Sequence, residues 1–314
     1  QMCIRDSDMI RQAAFTGNAR LLKGGLHCHT TRSDGRGTPE EVIRLHAEHG
    51  YDFLAITDHR KYNYRNFAPE TGITILPGME MDRNLRSEYG YRCFHTVCVG
   101  PEKEQGNAYE QDQVFESGFV KDQYEYQAVV DEIHAAGNLT IYCHPDWSGT
   151  PAHTFAEMKG NFAMEIWNTG CVVENEMDVD NGLYWDELLM RGVKIYAVAT
   201  DDGHSMYQHC KGWVCVNAQN NVAAILEALK NGAFYSSTGP EIRDFAIEDG
   251  VARVACSPCA HIDFLYGGFP SRVVRGDGIE TAECKVPEGT RYLRARVVDA
   301  QGQRAWTNPI FLAE

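Results

Sequence analysis

No apolar run in this sequence is long enough to cross a bilayer. A leader-like pattern is missing too. Residues Gln1 to Asp8 are polar and charged, do not begin with Met and join poorly to the residues after them. Residues 1–22 are therefore read as a lead-in with a partly non-native or disordered start. Positive charge is scarce: 29 Lys and Arg stand against 44 Asp and Glu, a net charge of −15. A DNA or RNA polymer needs a basic face, so nucleic acid is an unlikely class of partner. Small anions stay open, because a metal or a local Arg can overturn the global field. Paired cysteine motifs are also lacking. The 11 cysteines are odd in number and irregularly spaced. Cys93, Cys98, Cys171 and Cys215 sit inside apolar runs. This usage suits free, buried thiols in a reducing compartment, and hence a cytoplasmic location. Cys256 and Cys259 form one CxxC without the second pair a zinc ribbon needs, and they read as a turn. There is no internal repeat and no low-complexity tract.

What is present is the texture of a large α/β unit. At 314 residues, 43% hydrophobic and 23% charged, the chain can bury a sizeable core. Short apolar runs at 24–28, 52–57, 74–77, 92–99, 139–143, 162–167 and 193–199 lack clean alternation, as strands covered on both faces should. Helical segments fall between them. Thr38, Pro39 and Glu41 form a capping box with Pro at the first helical position, and Gly50 ends that helix. Residues 123–136 and 221–229 repeat the logic before Gly137 and Gly232. About seven βα units in series predict a parallel, barrel-like fold over 23–239. After Gly239 and Pro240 the pattern becomes alternating. Asp249-Gly250 reads as a hairpin turn, and residues 291–298 with 305–312 as another hairpin, so 240–314 should form a small all-β appendage. The polar stretch 101–121, between a strand and a helix, reads as a lid or specificity loop beside the active face.

The chemistry gathers at the predicted strand ends. His27 and His29 are two residues apart in an extended stretch, so both imidazoles can face one ion while Cys28 faces away. Asp34 follows in the next loop. The second strand ends in Asp58-His59, the third in Glu80, and the fifth in His144. His95 lies in the fourth, and Asp201, Asp202 and His204 close the seventh. In parallel α/β barrels these ends form the active face. A single strand histidine is more often a hydrogen-bonded core residue than a ligand. Histidines and carboxylates at successive strand ends are not explained that way, and the mixed set suits Zn, Mn or Fe better than Mg or Ca. His46, His49 and His134 lie on helices and read as surface or packing residues.

In order along 24–205, the sequence carries Leu26-His-Cys-His-Thr30 with Ser33-Asp-Gly35, Ile56-Thr-Asp-His59, Gly78-Met-Glu80 and Phe94-His95. Tyr142-Cys-His-Pro145, Glu165-Ile-Trp-Asn168 and Asp201-Asp-Gly-His204 complete the series. It resembles the PHP (polymerase and histidinol phosphatase) superfamily. The resemblance implies a distorted (β/α)7 barrel holding two to three divalent ions. It implies that His27, His29 and Asp202 hold the first ion, and that His95 and His144 hold the second with Glu80 bridging. Asp34, His59 and His204 would hold the third. Asp201 is the ambiguous neighbour, and the D-x-H spacing favours Asp202 as the ligand. Ser237-Thr-Gly-Pro240 and Ala305-Trp-Thr-Asn-Pro309 look like the stand-alone CehA/McbA-type branch, which implies that the closing β segment covers the barrel.

The cluster implies hydrolysis: two ions bridged by Glu80 would activate a shared water, and a third would polarise the phosphoryl oxygens. The expected reaction is cleavage of a small phosphorylated metabolite. The alternatives are a carbamate, ester or amide hydrolase and a non-catalytic metal-binding module. Arg60, beside His59, is expected to act on the substrate, with Lys61 and Arg32 as further phosphate-orienting cations. Asn168 is expected to line the pocket, and Asp201 or His209 to supply the leaving-group acid. No membrane contact is expected. Oligomeric state is not legible in the sequence.

Overall fold

The computed structural model describes residues 9–17, 20–87, 90–267 and 272–312. The lead-in Gln1 to Asp8 lies outside them. The chain is mixed α/β. Its strands form two sheets.

One sheet runs through the site-bearing strands Leu22–Gly25, Phe53–Ala55 and Thr74–Leu76, which pair in parallel. On its other side Leu22–Gly25 pairs antiparallel with Trp213–Val216, which pairs in turn with Phe234–Ser237. The sheet then continues without a break into the C-terminal strands: Phe234–Ser237 pairs with Arg304–Thr307, and that strand with Tyr292–Val298. The second sheet holds Leu139–Tyr142, Ala163–Asn168 and Tyr196–Thr200 in parallel, and adds Gly90–Val99 and Gly78–Ser87 at one side. Isolated parallel bridges, Cys28 to Gly203 and His59 to Glu80, connect residues just past strands of one sheet to residues of the other.

Two expectations change, and one strand is added. The serial parallel pattern is broken, because Gly78–Ser87 continues past Glu80 as a long strand and pairs antiparallel with Gly90–Val99. The Cys256 and Cys259 pair is no turn. It lies inside the strand Val251–Leu265, where a register shift brings the two sulfurs to 3.7 Å. A strand at Arg272–Lys285, mostly polar and exposed, had no clear sequence signal. The hairpin turn does form: Asp249 and Gly250 both take positive φ, 50° and 72°, between Ile242–Glu248 and Val251–Leu265.

Helices pack outside the parallel strands. Pro39–Glu48 opens with the full capping box on Thr38 and Glu41, and it buries Val42, Ile43 and His46. Gln123–Ala135 is capped by Asp122, and Val222–Lys230 by Asn221. Apolar side chains from both sheets, among them Leu26, Phe53, Val97, Ile141 and Val198, meet in one buried cluster. Among the described residues no helix is long and apolar enough to cross a membrane.

Candidate metal centre

The stretch after Leu22–Gly25 is extended, and alternation acts as expected. Cys28 turns into the core and donates its thiol to the Ala55 carbonyl at 3.3 Å, while His27 and His29 turn the other way. Their Nε2 atoms lie 3.2 Å apart. Glu80 Oε2 is 3.4 Å from His27 Nε2 and 3.2 Å from His29 Nε2, and Asp202 Oδ1 is 3.3 Å and 2.9 Å from the same two atoms. A tetrahedron of ligands at ~2.0–2.1 Å from a metal has edges of roughly 3.3–3.4 Å. Glu80 Oε2 and Asp202 Oδ1 are buried without a hydrogen-bond partner among the described residues. Carboxylate oxygens at this depth are costly unless positive charge, an imidazolium or a metal ion, faces them. The four-atom set fits a divalent ion.

Two further groups adjoin it. Glu80 Oε1 meets His95 Nδ1 at 2.9 Å and His144 Nε2 at 3.5 Å. Asp34 Oδ2 meets His59 Nε2 at 3.6 Å and His204 Nε2 at 3.5 Å. The His29 ring lies against both His59 and His204, with centroids 4.6 Å and 4.3 Å away, so the groups form one continuous cluster. All nine side chains expected to offer ligand atoms meet here.

Other residues aim these groups. Glu165 stands on Ala163–Asn168. Its Oε1 accepts from His27 Nδ1 at 2.6 Å and from Thr200 Oγ1 at 2.6 Å, and its Oε2 accepts from the His144 backbone N–H and Asn168 Nδ2. Donation from Nδ1 leaves His27 Nε2 with its lone pair toward the centre. Ser148 Oγ lies 3.0 Å from His144 Nδ1 and sets that ring the same way. Asp58 holds the loop carrying Asp34, accepting from the Thr30 N–H and hydroxyl and from Ser33 Oγ. The same loop needs Gly35, where a Cβ would come within 2.5 Å of the His29 backbone. His144 and Asp202 take positive φ, 27° and 47°, a backbone cost that concentrates at functional sites.

Charge in the cluster is mutual. Burial opposes the ionised form of Glu80, but His59, His27 and His95 outweigh it and hold the carboxyl well below its ordinary range. Burial likewise opposes the charged imidazole of His29, yet Asp202 and Glu80 push it up to about 10. Asp34 is lowered too, since His204, His29 and His59 outweigh its burial.

The cluster floors a cavity of about 330 Å³, the size of a small-molecule site. Trp147, Cys171, Glu174 and Arg36 complete its walls. Arg36 was not singled out in the sequence, although it sits two residues after Asp34. Asp82 was missed as well; it is on the Glu80 face of its strand by the rule of two and lies 3.1 Å from His59 Nδ1.

The residues expected to contact substrate are placed otherwise. The Arg60 guanidinium is paired with Asp82, and Arg32 with Asp112 and Asn63. Both charges are thereby spent inside the fold, and neither residue lines the cavity. Lys61 is bridged through its backbone to Val114 and is also off the cavity wall. Asn168 caps the helix Thr169–Asn175 and donates to Glu165 and Asp202, so its amide is fully engaged behind the ligands. Asp201 does not face the cavity. Its carboxylate accepts from the N–H groups of Cys210, Lys211 and Gly212 and from Thr169 Oγ1. His209 is buried behind Gly203, away from the cavity. The segment 101–121 is strapped to its neighbours, Phe115 donating to the Arg60 carbonyl and Tyr62 to that of Gln113, and it contributes no wall to the cavity.

A mixed α/β fold whose strand ends converge on buried histidines and carboxylates around a small cavity fits the class of metal-dependent hydrolases. Residues 25–172 match the family described as PHP domain. No curated protein matches it. Among solved structures it is similar to a two-domain protein from Bacteroides vulgatus described as containing a predicted PHP-like metal-dependent phosphoesterase. Identity there is 17%, with 93% of this chain and 95% of that one covered and a TM-score of 0.47. It is also similar to an amidohydrolase from Chromobacterium violaceum, at 14% identity, 58% and 87% coverage and a TM-score of 0.40. PsfC from Pseudomonas syringae is similar at 11% identity, 68% and 88% coverage and a TM-score of 0.40.

Proposed function

We propose that this protein is a phosphoesterase of small phosphorylated metabolites, working with two to three divalent ions, Zn, Mn or Fe. The observation that carries the reading is the convergence of nine ligand-type side chains on one cavity, with Glu80 Oε2 and Asp202 Oδ1 both facing the Nε2 atoms of His27 and His29 at its floor. In this reading His27, His29 and Asp202 hold one ion, and His95 and His144 a second. Asp34, His59 and His204 hold a third, and Glu80 reaches the first two. Such ions, when bound, supply Lewis-acid charge and lower the pKa of a water, which is the chemistry of phosphoester hydrolysis. The protein's part is positional. Glu165 and Ser148 fix the rings of His27 and His144, Asp58 fixes the Asp34 loop, and Trp147 walls the cavity. Arg36, exposed at the rim with no ion-pair partner among the described residues, draws an anionic substrate inward.

The two sheets, joined by the Cys28–Gly203 and His59–Glu80 bridges, are read as walls of a distorted (β/α)7 barrel over 23–239, with 240–314 as its β appendage in the CehA/McbA manner. The free thiols support a cytoplasmic location, and the acidity supports a small-molecule rather than a nucleic-acid partner.

One observation favours a second reading, a carbamate, ester or amide hydrolase. Arg32 and Arg60 are already neutralised, so Arg36 is the lone Lys or Arg on the described cavity wall, and a neutral substrate asks for no more. Screening Mn- or Zn-loaded protein on phosphate esters beside neutral esters and carbamates tests both. Faster turnover of phosphate esters supports the first; turnover confined to neutral substrates overturns it.

A further inference from the structure

Behind the cluster, on the far side of the 201–204 backbone, lies a second group of ligand-type side chains that the proposed reaction does not use. His46 reaches inward from the helix Pro39–Glu48 and is 1% exposed. Its Nδ1 donates to the Val42 carbonyl at 2.8 Å, which leaves Nε2 as a bare lone pair. That atom is 3.9 Å from Asp201 Oδ2, too far for a hydrogen bond. His209 is 4% exposed, and neither ring nitrogen has a hydrogen-bond partner among the described residues. Its ring meets His46 edge-on, with centroids 5.3 Å apart. The Tyr51 hydroxyl is buried and unpartnered too, on a ring that packs at 4.8 Å against His46. Ligand atoms of His46, Asp201 and His209 all lie within 4.8 Å of one another.

We propose that His46, Asp201 and His209 form a separate site for a divalent transition-metal ion, with zinc the best match to the donor set. Two imidazoles and one carboxylate are a donor set such ions favour over Mg or Ca. The carboxylate is pinned by four N–H and O–H donors, yet it has no Lys or Arg partner among the described residues, so a cation here balances a buried charge. Closing His46 Nε2 and Asp201 Oδ2 from 3.9 Å to a tetrahedral edge of roughly 3.4 Å is a small movement. A water would complete four ligands. The ion ties the helix Pro39–Glu48 to the loop 201–212, which carries Asp202 and His204. Its role is structural support for the neighbouring centre.

Zinc-loaded full-length protein, crystallised and measured across the zinc absorption edge, tests this directly. The expected result is an anomalous peak between His46, Asp201 and His209, separate from any peaks in the cavity, and a metal content about one ion per chain lower in His209→Gln and His46→Gln. A water-like feature without anomalous signal, alongside peaks in the cavity, overturns this site and leaves the cavity reading intact. Unchanged metal content in both variants overturns it as well. If neither variant folds, the wild-type map decides alone.

Discussion

Glu165 lies behind the cavity wall, yet it fixes the ring of His27 and holds the backbone N–H of His144. Carboxylates that orient ligating histidines are typically worth about 10–100-fold in metal affinity or activity. Glu165→Gln should weaken metal retention by that factor in a chelator competition, with the fold retained; unchanged retention would reduce Glu165 to packing. His29 makes a prediction of opposite kind. With His29 pushed up to about 10, the metal-free imidazole holds its proton at neutral pH, and an ion must displace it. Metal uptake should therefore release protons, and apparent affinity should rise as pH increases through neutrality. Calorimetric titrations in buffers of different ionisation enthalpy measure that release. Arg36→Met should lower kcat/KM for phosphate esters about ten- to a hundredfold, the ~1.5–3 kcal/mol of a charge-assisted hydrogen bond, and leave neutral esters unchanged. Equal losses on both substrate classes would contradict a role in anion recognition. At this scale the sequence was informative about residues with ligand chemistry and poor on their neighbours. His27, His29, Glu80 and Asp202 stand at strand ends, where periodicity places them. Whether Arg60 reaches the cavity depends on Asp82, whose pairing with it arises only when Gly78–Ser87 is laid beside the 58–61 loop.

Among the elements, the seam between the parallel strands and the C-terminal strands offers the sharpest test. Arg294, on Tyr292–Val298, is 1% exposed and makes a two-pronged pair with Asp186 on the helix Gly182–Met190 while stacking over Trp185 at 4.6 Å. Breaking a buried pair from one side typically costs about 3–5 kcal/mol, because the other charge is left stranded. Arg294→Met should lower stability in chemical denaturation by about that amount, and adding Asp186→Leu should recover part of it. A loss under about 1 kcal/mol would mean the pair is solvated and the seam is held by apolar packing alone. The capping box on Thr38 and Glu41, the Asp249-Gly250 turn and the parallel strands were legible because each rests on local chemistry. The antiparallel run of Gly78–Ser87 was not, since its polar half, from Asp82 through Arg83 and Asn84, has no strand-like alternation and is held by pairing with Gly90–Val99.

Taken whole, the molecule sets an acidic chain around a core of buried histidines and carboxylates, in which the imidazoles carry the compensating positive charge until a cation displaces their protons. The net charge of −15 draws cations in. The same charge gives an anionic substrate no help until those cations are bound. The continuous sheet from Leu22–Gly25 to Tyr292–Val298 makes the C-terminal strands part of the framework around the site, so the division at 239 and 240 drawn from composition is not a break in hydrogen bonding. In the proposed reading the cavity is a multinuclear metal centre. Elemental analysis of purified full-length protein, before and after chelation and reconstitution, tests it most directly. More than one transition-metal ion per chain, lowered by His27→Ala and by Asp202→Ala in folded protein, is the predicted result. A folded protein with no more than trace metal after reconstitution with Zn, Mn or Fe would contradict it.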